Sequence, residues 1–120
     1  MKKKNKYNVD NTKKGKASRT VNGHLFMSKK ESVRYKELLE LEKKGEISEL
    51  ELQPRFTLQI AFVDNEGNKH RKIEYVADFA YIQKGNKIVE DVKGFVTDVY
   101  KIKKKLFLYS NQDVLFLEIK

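Results

Sequence analysis

The sequence predicts an α/β protein of the α+β kind, in which a helix, several antiparallel strands, a second helix and a last strand form a mixed central sheet. Three observations support this fold class. Two segments carry apolar residues at helical spacing, and the runs between them have the length and alternation of strands. A helix also separates the last two strand-like runs, a connection that favours mixed rather than purely antiparallel pairing. At 120 residues the chain is long enough for one domain with one modest core.

The first 23 residues are strongly basic and offer almost nothing to bury. They carry eight Lys and Arg residues against Asp10 alone, so eight minus one gives +7 of the chain's formal net charge of +9. Such a segment cannot offset its ordering entropy. We therefore expect a disordered basic tail over residues 1–23 and a folded domain over residues 24–120. A nucleic-acid-binding arm is the favoured role of the tail, and a solubilising tail is the alternative.

The first helix is predicted from Ser28 to about Lys44. The stretch SKKE that begins at Ser28 has the form of a capping box, and Gly45 is a residue type that ends helices. Glu31 shares one stripe of this helix with Tyr35, Leu38 and Leu39, so it is expected at the end of the buried face. The helix cap alone could explain Glu31, and a functional role is compatible with it.

Several strand-like runs follow, and turn residues separate them. The runs cover residues 49–53, 55–63, 71–82 and 87–93. Pro54, the DNEGN stretch at 64–68 and the pair Gly85-Asn86 break them, and the last two of these breaks are typical of hairpin turns.

A second helix is predicted over about residues 97–109 and a last strand over 114–119. One side of the helix carries Val99, Ile102, Leu106 and Tyr109. Three lysines lie largely elsewhere on it: Lys101, Lys104 and Lys105.

Composition narrows the classes of function. An excess of 26 Lys and Arg over 17 Asp and Glu favours a polyanionic partner, with nucleic acid ahead of an anionic membrane. The absence of cysteine excludes disulfides and thiolate zinc sites, whereas a metal bound by oxygen atoms stays possible. No apolar run approaches the ~20 residues of a membrane span, and no signal-peptide core follows the first lysines. We expect a protein that stays inside a cell, with no membrane partner.

Charged residues inside the strand-like runs need partners. Alternation gives the run 71–82 two faces. One face has Val76, Asp78, Ala80 and Ile82, and the other has Tyr75, Ala77, Phe79 and Tyr81. Asp78 thus lies on an apolar face, where an aspartate is rarely buried unless it is paired. An ordinary salt bridge or a turn contact is the simplest explanation of Asp78.

The run IVEDVKG, residues 88–94, poses the same question. Alternation places Asp91 and Lys93 on one face and Glu90 on the other. If a hairpin pairs this run with the previous one, Asp78 approaches Asp91, and two such carboxylates repel each other unless a cation lies between them. Magnesium suits the pair because it binds one or two carboxylates and keeps exchangeable waters. A phosphate oxygen of a substrate can replace one of these waters, and Lys93 would then face that phosphate. The alternative for Asp91 and Lys93 is a charge pair on a wet face.

Because it contains these acids and Lys93, the segment 24–120 resembles the PD-(D/E)xK nuclease superfamily. The chain is most similar to a small phage-encoded family within it, related to Holliday-junction resolvases and to the endonuclease subunit of a bacterial transposase. The stretches that carry the resemblance are SKKESVRYKELLELEKKGEI, LELQPRFTL, EYVADFAYI and VEDVKGFVTDVYKIKKKLF. The resemblance implies a restriction-endonuclease-like core of helix, three antiparallel strands, helix and strand. Ala77 stands where the name of the superfamily has proline, a change that removes no ligand.

The resemblance also implies roles for single residues. Asp78 and Asp91 correspond to the metal-binding acids, Lys93 to the catalytic lysine, Glu31 to a helix-borne acid and Val92 to a further metal ligand. Residues in positions for substrate contact or support are Arg34, Gln53, Arg55, Thr97, Tyr100, Lys101 and Lys104.

The function implied is a DNA endonuclease that depends on Mg²⁺ or Mn²⁺ and uses no small-molecule cofactor. The resemblance favours branched DNA such as Holliday junctions as the substrate, in phage replication, recombination or packaging, and a homodimer in the cytoplasm of a bacterial host. The alternatives are a non-catalytic nucleic-acid-binding protein and a phage regulatory protein on the same fold.

Overall fold

The computed structural model describes residues 11–120 of the chain. The chain divides into two compact units, one ending at Ile47 and the other spanning Ser48–Lys120. The predicted division at residue 23 differs from this boundary, because residues on both sides of position 23 belong to the first unit. No helix among residues 11–120 is both long and apolar enough to cross a membrane.

The first unit contains two helices and a two-stranded hairpin. Its elements are α1 (Lys13–Ser18), β1 (Thr20–Val21), β2 (His24–Leu25) and α2 (Lys29–Lys43). β1 and β2 pair in antiparallel fashion, with Thr20 opposite Leu25.

Residues 11–23 have ordered structure, which corrects the predicted disordered tail over that range. The Thr12 side chain accepts a hydrogen bond from the Gly15 amide, 3.1 Å away, and so caps α1. The Arg19 side chain is buried, and its Nε donates to the Phe26 carbonyl over 2.9 Å. Composition gave no sign of this because the guanidinium is buried through a backbone partner. The tail prediction for residues 1–10 lies outside the described residues.

Helix α2 confirms the predicted first helix. Its N-cap is Ser28, whose Oγ accepts a hydrogen bond from the Glu31 amide over 3.2 Å, and Gly45 follows the helix with a positive φ of 78°. Glu31, Tyr35 and Leu38 of the predicted buried stripe are buried, whereas Leu39 is only half-buried.

The second unit is built on a mixed four-stranded sheet. Its elements are β3 (Ser48–Leu52), β4 (Arg55–Gln59), β5 (Phe62–Val63), β6 (Lys69–His70), β7 (Ile73–Val76), β8 (Phe79–Gln83), β9 (Asn86–Val92), α3 (Asp98–Ser110) and β10 (Leu115–Ile119). The strand order is β10-β9-β8-β3, in which β9 and β10 are parallel and the other neighbours are antiparallel. The mixed sheet and the crossover through α3 confirm the predicted α+β class.

One of the predicted strands is bent and therefore appears as separate strands. The run 71–82 breaks at Ala77 and Asp78, between β7 and β8, and this break faces the predicted one at Pro54, between β3 and β4. Hydrogen bonds hold the two arms together through the bend: the Ala77 amide donates to the Pro54 carbonyl over 3.1 Å, and the Gln53 amide donates to the Asp78 carbonyl over 2.9 Å. The bend therefore lies at Asp78.

The bend changes which residues share a face. One core cluster contains Tyr75, Ala77, Ala80, Val89, Tyr100 and Phe107. Tyr75 and Ala80 were expected on opposite faces, because strict alternation from 71 to 82 assumes one straight strand. That expectation is wrong across the break, where the alternation shifts by one residue.

The hairpin between β8 and β9 ends in a two-residue turn. Gln83 pairs with Asn86, which leaves Lys84 and Gly85 in the turn with φ values of 51° and 81°. Two positive φ values are the mark of a type I′ turn, which matches the twist of the flanking strands. The turn lies one residue before the predicted Gly85-Asn86 pair.

Helix α3 begins at the predicted place, with Thr97 as its N-cap, but it packs through an unexpected side. Tyr100 and Phe107 are buried against the sheet. The side that carries Val99, Ile102, Leu106 and Tyr109 is exposed to solvent. The apolar pattern that predicted the helix is therefore not the pattern that attaches it to the core.

Candidate active site

Asp91 lies at the centre of the candidate site, on the inner strand β9. It is 1% exposed, and β8 and β10 flank its strand. The Tyr75 hydroxyl donates a hydrogen bond to its Oδ2, and the Lys93 Nζ lies 3.0 Å from its Oδ1. A carboxylate removed from water needs such partners. The alternative of a charge pair on a wet face does not fit Asp91, because this carboxylate is buried.

Asp78 lies across the ladder from Asp91. The pairing of Phe79 with Glu90, continued by one residue, sets Asp78 opposite Asp91. The Asp78 amide donates to the Glu90 carbonyl over 3.1 Å, and the Asp78 Oδ2 accepts from the Val92 amide over 2.6 Å. Asp78 thus bonds the residues on both sides of Asp91. The register thus places the two residues opposite each other on neighbouring strands.

Glu90 and Asp91 are adjacent acids that face opposite sides of the sheet. Glu90 is fully buried and accepts a hydrogen bond from the Tyr81 hydroxyl, whereas Asp91 faces Lys93. Alternation predicted that Asp91 rather than Glu90 shares a face with Lys93, and the short distance between Asp91 and Lys93 confirms it.

Lys93 is the first member of a polar chain that continues onto α3 and β10. Its Nζ lies 4.2 Å from the centre of the Tyr100 ring, within the range of a cation–π contact. The Tyr100 hydroxyl donates to Glu118 Oε1 over 2.7 Å, and the Lys104 Nζ lies 3.6 Å from the same oxygen. The hydrogen bond to Glu118 holds the Tyr100 ring, and the ring in turn holds the Lys93 ammonium against one of its faces.

The two tyrosines of the site remain protonated at neutral pH. Burial raises the pKa of Tyr75, and the charge of Asp91 and the hydrogen bond to it raise this pKa further. Burial also raises the pKa of Tyr100, with the hydrogen bond to Glu118 as the next cause. Both phenols therefore act as donors to carboxylates. The hydrogen bond from Tyr100 in turn lowers the pKa of Glu118, and the Lys104 charge adds to this effect.

Two of these residues, Tyr75 and Glu118, were missed by the sequence analysis. Glu118 is the parallel-sheet neighbour of Asp91 in the register between β10 and β9. Alternation along the last strand would have placed Glu118 beside Asp91 only if the register between β10 and β9 had been known. Tyr75 was assigned to the face away from Asp78, because the bend at Asp78 has no signal in the alternation.

Asp78 and Asp91 are the residues of the site that could hold a magnesium ion. Asp78 and Asp91 supply two carboxylates from neighbouring strands, and Mg²⁺ binds one or two carboxylates while it keeps several waters. Val92, the further ligand that the resemblance implies, can offer only its backbone carbonyl. Among residues 11–120, no three side chains of His, Cys, Asp or Glu form a group that could hold a metal ion. Glu31 belongs to the first unit, where it is buried one turn into α2.

The residues predicted to contact substrate have several different environments. Tyr100 is buried with its ring against the Lys93 ammonium, which is a position for support. The Thr97 side chain accepts from the Tyr100 amide over 3.1 Å and caps α3. Gln53, Arg55 and Lys101 are exposed, and Lys104 is half-buried beside Glu118. In the first unit, Arg34 forms an ion pair of 2.8 Å with Glu37.

The Glu118 contact predicts a pH-dependent contribution to stability. Because the pKa of Glu118 is lowered in the folded chain, its contribution is present above the unfolded value of about 4.3 and is lost as the pH falls through the lower folded value. We expect Glu118→Gln to lower the free energy of unfolding by about 1 kcal/mol or less at pH 7, and by less below pH ~4. Urea unfolding of both proteins from pH 3 to 7 measures the difference. Tyr100→Phe should remove most of the same pH dependence, and an unchanged dependence would contradict the assignment.

The fold and the site together define a class: an α+β protein with a mixed sheet that carries two carboxylates and an ammonium on neighbouring strand positions. A sequence family described as "Protein of unknown function (DUF1064)" matches residues 5–119, so the chain belongs to the DUF1064 family. A comparison with curated proteins finds no match for the chain.

Proposed function

We propose that the protein is a metal-dependent DNA endonuclease that hydrolyses phosphodiester bonds with Mg²⁺ or Mn²⁺. The observation that supports this most is the position of Lys93, whose ammonium lies 3.0 Å from the Asp91 carboxylate. Asp78 lies opposite Asp91 on the neighbouring strand, where its Oδ2 accepts from the Val92 amide. Two acids that could share a divalent cation and one ammonium beside them are a set of groups suited to phosphodiester hydrolysis.

Each residue of the set has a defined task in the proposal. Asp78 and Asp91 would hold the ion, which when bound neutralises phosphate charge and acidifies a coordinated water. The Tyr75 hydroxyl fixes one oxygen of Asp91 and so orients the carboxylate. The Lys93 ammonium donates hydrogen bonds to the charge that develops on the phosphate oxygens. The Tyr100 ring contacts that ammonium and keeps it in place.

The charge of the chain supports a nucleic-acid substrate over a small phosphoester. A net charge of +9 suits an extended polyanion, because each neutralised phosphate releases condensed counterions. The resemblance to the PD-(D/E)xK superfamily supplies the other parts of the proposal. These are DNA as the substrate, a preference for branched DNA such as a Holliday junction, an origin in a phage or prophage, and the assignment of the mixed sheet to a restriction-endonuclease-like core.

A second candidate is a non-catalytic nucleic-acid-binding or phage regulatory protein. The observation that favours it is the same ion pair, since Lys93 already neutralises a buried Asp91. In that case the pair would serve stability alone, and the other lysines would bind nucleic acid by counterion release.

Cleavage assays separate the two candidates. Supercoiled plasmid and a synthetic four-way junction are incubated with the protein and Mg²⁺, Mn²⁺ or EDTA. We expect cleavage with either metal and none with EDTA. Asp78→Asn should lower the rate by at least ~10²-fold, because it removes one of two metal ligands, and DNA binding should change little.

The controls identify the source of any cleavage. Lys69→Ala, which removes an exposed charge on β6, should keep most of the cleavage rate, and Asp78→Asn protein from the same purification reports contaminating nucleases. Equal cleavage by wild type and Asp78→Asn would contradict the site. Salt-sensitive binding without any cleavage would favour the second candidate.

A further inference from the structure

Strands β4 and β7, with β5 and β6 beyond them, form an antiparallel ribbon that begins beside the candidate site. At its root the Tyr75 hydroxyl of β7 donates to Asp91. Farther along, every residue from 59 to 73 is exposed except Asp64, which is half-buried. The outer half of the ribbon, residues 59–73, therefore adds little to the core of its unit, and its side chains can contact a partner.

The outer half of the ribbon has two different faces. Phe62 pairs with His70, so these two side chains share one face. Val63 pairs with Lys69, and both lie on the other face because neighbouring residues of a strand alternate. We call the side that carries Phe62 and His70 the aromatic face of the ribbon.

The rings of the aromatic face are stacked and remain open to solvent. The centres of the Phe62 and His70 rings lie 4.6 Å apart, and their planes differ by 14°. Phe62 is 43% exposed and the His70 side chain is 46% exposed. The Asp64 Oδ2 lies 2.9 Å from the His70 Nε2, and its Oδ1 accepts hydrogen bonds from the Glu66 and Asn68 amides. One carboxylate thus fixes both the turn and the imidazole, so the stack is held in place without being buried.

Positive charge accompanies the rings. The four residues 69–72, KHRK, include three Lys or Arg residues, and all four are exposed. Lys72 follows His70 by two residues without a change of register, so it belongs to the aromatic face. Its ammonium lies 3.5 Å from Glu74, and its side chain is 58% exposed. The two acids of the outer half both belong to the turn at 64–68. Open rings beside cationic groups are the combination with which proteins bind bases and phosphates together.

We propose that the aromatic face binds unpaired bases of DNA, which stack on the Phe62 and His70 rings while Lys72 contacts a phosphate. Every base has a flat face, so stacking needs no particular sequence. A paired duplex keeps those faces inside its own stack, whereas single strands and opened branch points expose them. His70 is five residues from Tyr75, at most about 17 Å of extended chain, so a strand held there can reach the candidate site. DNA as the partner rests on the proposed function, whereas the stacking follows from the rings.

A tryptophan placed in the aromatic face reports the stacking directly. The chain contains no tryptophan, so Phe62→Trp introduces a single indole fluorophore. A single-stranded DNA oligonucleotide should quench this fluorescence, because a stacked base lies against the indole. A blunt duplex of the same length should quench it much less. Val63→Trp is the matched control on the other face and should show little quenching with either DNA. All titrations contain EDTA, so their outcome does not depend on cleavage.

Binding measurements test whether the ring matters for affinity. Phe62→Leu keeps an apolar side chain but removes the ring, and it should raise the Kd for the single strand at least ~5-fold, the lower end of the range for loss of one stacked base. Its Kd for the duplex should stay within a factor of ~2 of wild type, as should both Kd values of Val63→Ala and Lys69→Ala, which change the other face. Phe62→Trp should retain tight binding of the single strand. Circular dichroism checks that each variant is folded.

A stack that only joins the two strands of the ribbon is the alternative, since cross-strand aromatic pairs stabilise hairpins. Unchanged single-strand affinity in Phe62→Leu would establish that alternative and overturn the proposal. Equal losses for single strand and duplex, or quenching of Val63→Trp in place of Phe62→Trp, would overturn it as well. So would quenching by RNA of the same sequence but not by DNA. A chain that shows the expected stacking yet cleaves no DNA would contradict the nuclease proposal and support this one.

Discussion

Lys93→Met is expected to lower the rate of metal-dependent DNA cleavage by roughly 10²–10³-fold, the range measured when one preorganised donor to a developing charge is removed. Methionine keeps most of the side-chain length and removes the ammonium. The ammonium lies 3.0 Å from Asp91 and 4.2 Å from the Tyr100 ring centre, so the substitution removes the positive charge beside Asp91. The loss should appear in kcat more than in KM, since the group acts on charge that develops in the transition state.

The same substitution has a structural effect that must be separated from catalysis. Without Lys93 the buried Asp91 carboxylate keeps Tyr75 as its hydrogen-bond donor but loses its countercharge, which should cost about 1–3 kcal/mol of unfolding free energy. Asp91→Asn combined with Lys93→Met removes both charges. The double variant should regain part of the lost stability, because no uncompensated charge remains.

The double variant decides between a catalytic and a purely structural pair. If Lys93 and Asp91 act in cleavage, the double variant stays inactive although its stability is partly restored. Cleavage that returns together with stability would show that the pair only supports the fold. Lys69→Met, which changes an exposed lysine on β6, is the control for the loss of one positive charge from the protein.

Helices α2 and α3 could be predicted closely because their ends carry local signals. Ser28 and Thr97 both cap a helix through the side-chain oxygen, and Gly45 ends the first helix in a left-handed conformation. These preferences act within three or four residues, so they do not depend on the rest of the fold. The crossover through α3 likewise predicted the mixed sheet from chain order alone.

The side on which each element packs was harder to predict. Alternation along β9 correctly placed Asp91 with Lys93, because that strand is regular from Asn86 to Val92. It failed along residues 71–82, where the chain bends at Asp78 and the alternation shifts. Tyr75 therefore contacts Asp91 although it was assigned to the other face. A bend depends on hydrogen bonds to the facing arm, and those bonds have no local sequence signal.

The folded segment at residues 11–23 shows a similar limit. Charge and low hydropathy predicted disorder, yet Arg19 is buried through backbone carbonyl contacts and side-chain partners. Composition counts the cost of burying a guanidinium but not the particular oxygens that satisfy it. Predictions from charge alone are therefore weakest where one long polar side chain is fully hydrogen-bonded.

Phe107→Ala is expected to lower the free energy of unfolding by about 3–5 kcal/mol, the range for truncation of a fully buried phenylalanine. The Phe107 side chain is 0% exposed, and its ring centre lies 4.5 Å from that of Phe56 and 5.3 Å from that of Tyr75. Removing it opens a cavity where α3 contacts the bent sheet. Such a loss is a large fraction of the 5–15 kcal/mol that typically stabilises a domain.

Leu106→Ala is the matched control, because Leu106 precedes Phe107 on the same helix but points outward and is 46% exposed. This change should cost less than about 1 kcal/mol. Urea unfolding of both variants measures the two values. The apolar pattern of the sequence alone selects the side with Val99, Ile102, Leu106 and Tyr109, whereas the structure selects Tyr100 and Phe107 as the core side. A larger loss for Leu106→Ala than for Phe107→Ala would therefore show that α3 is turned the other way, which would also remove Tyr100 from beneath Lys93.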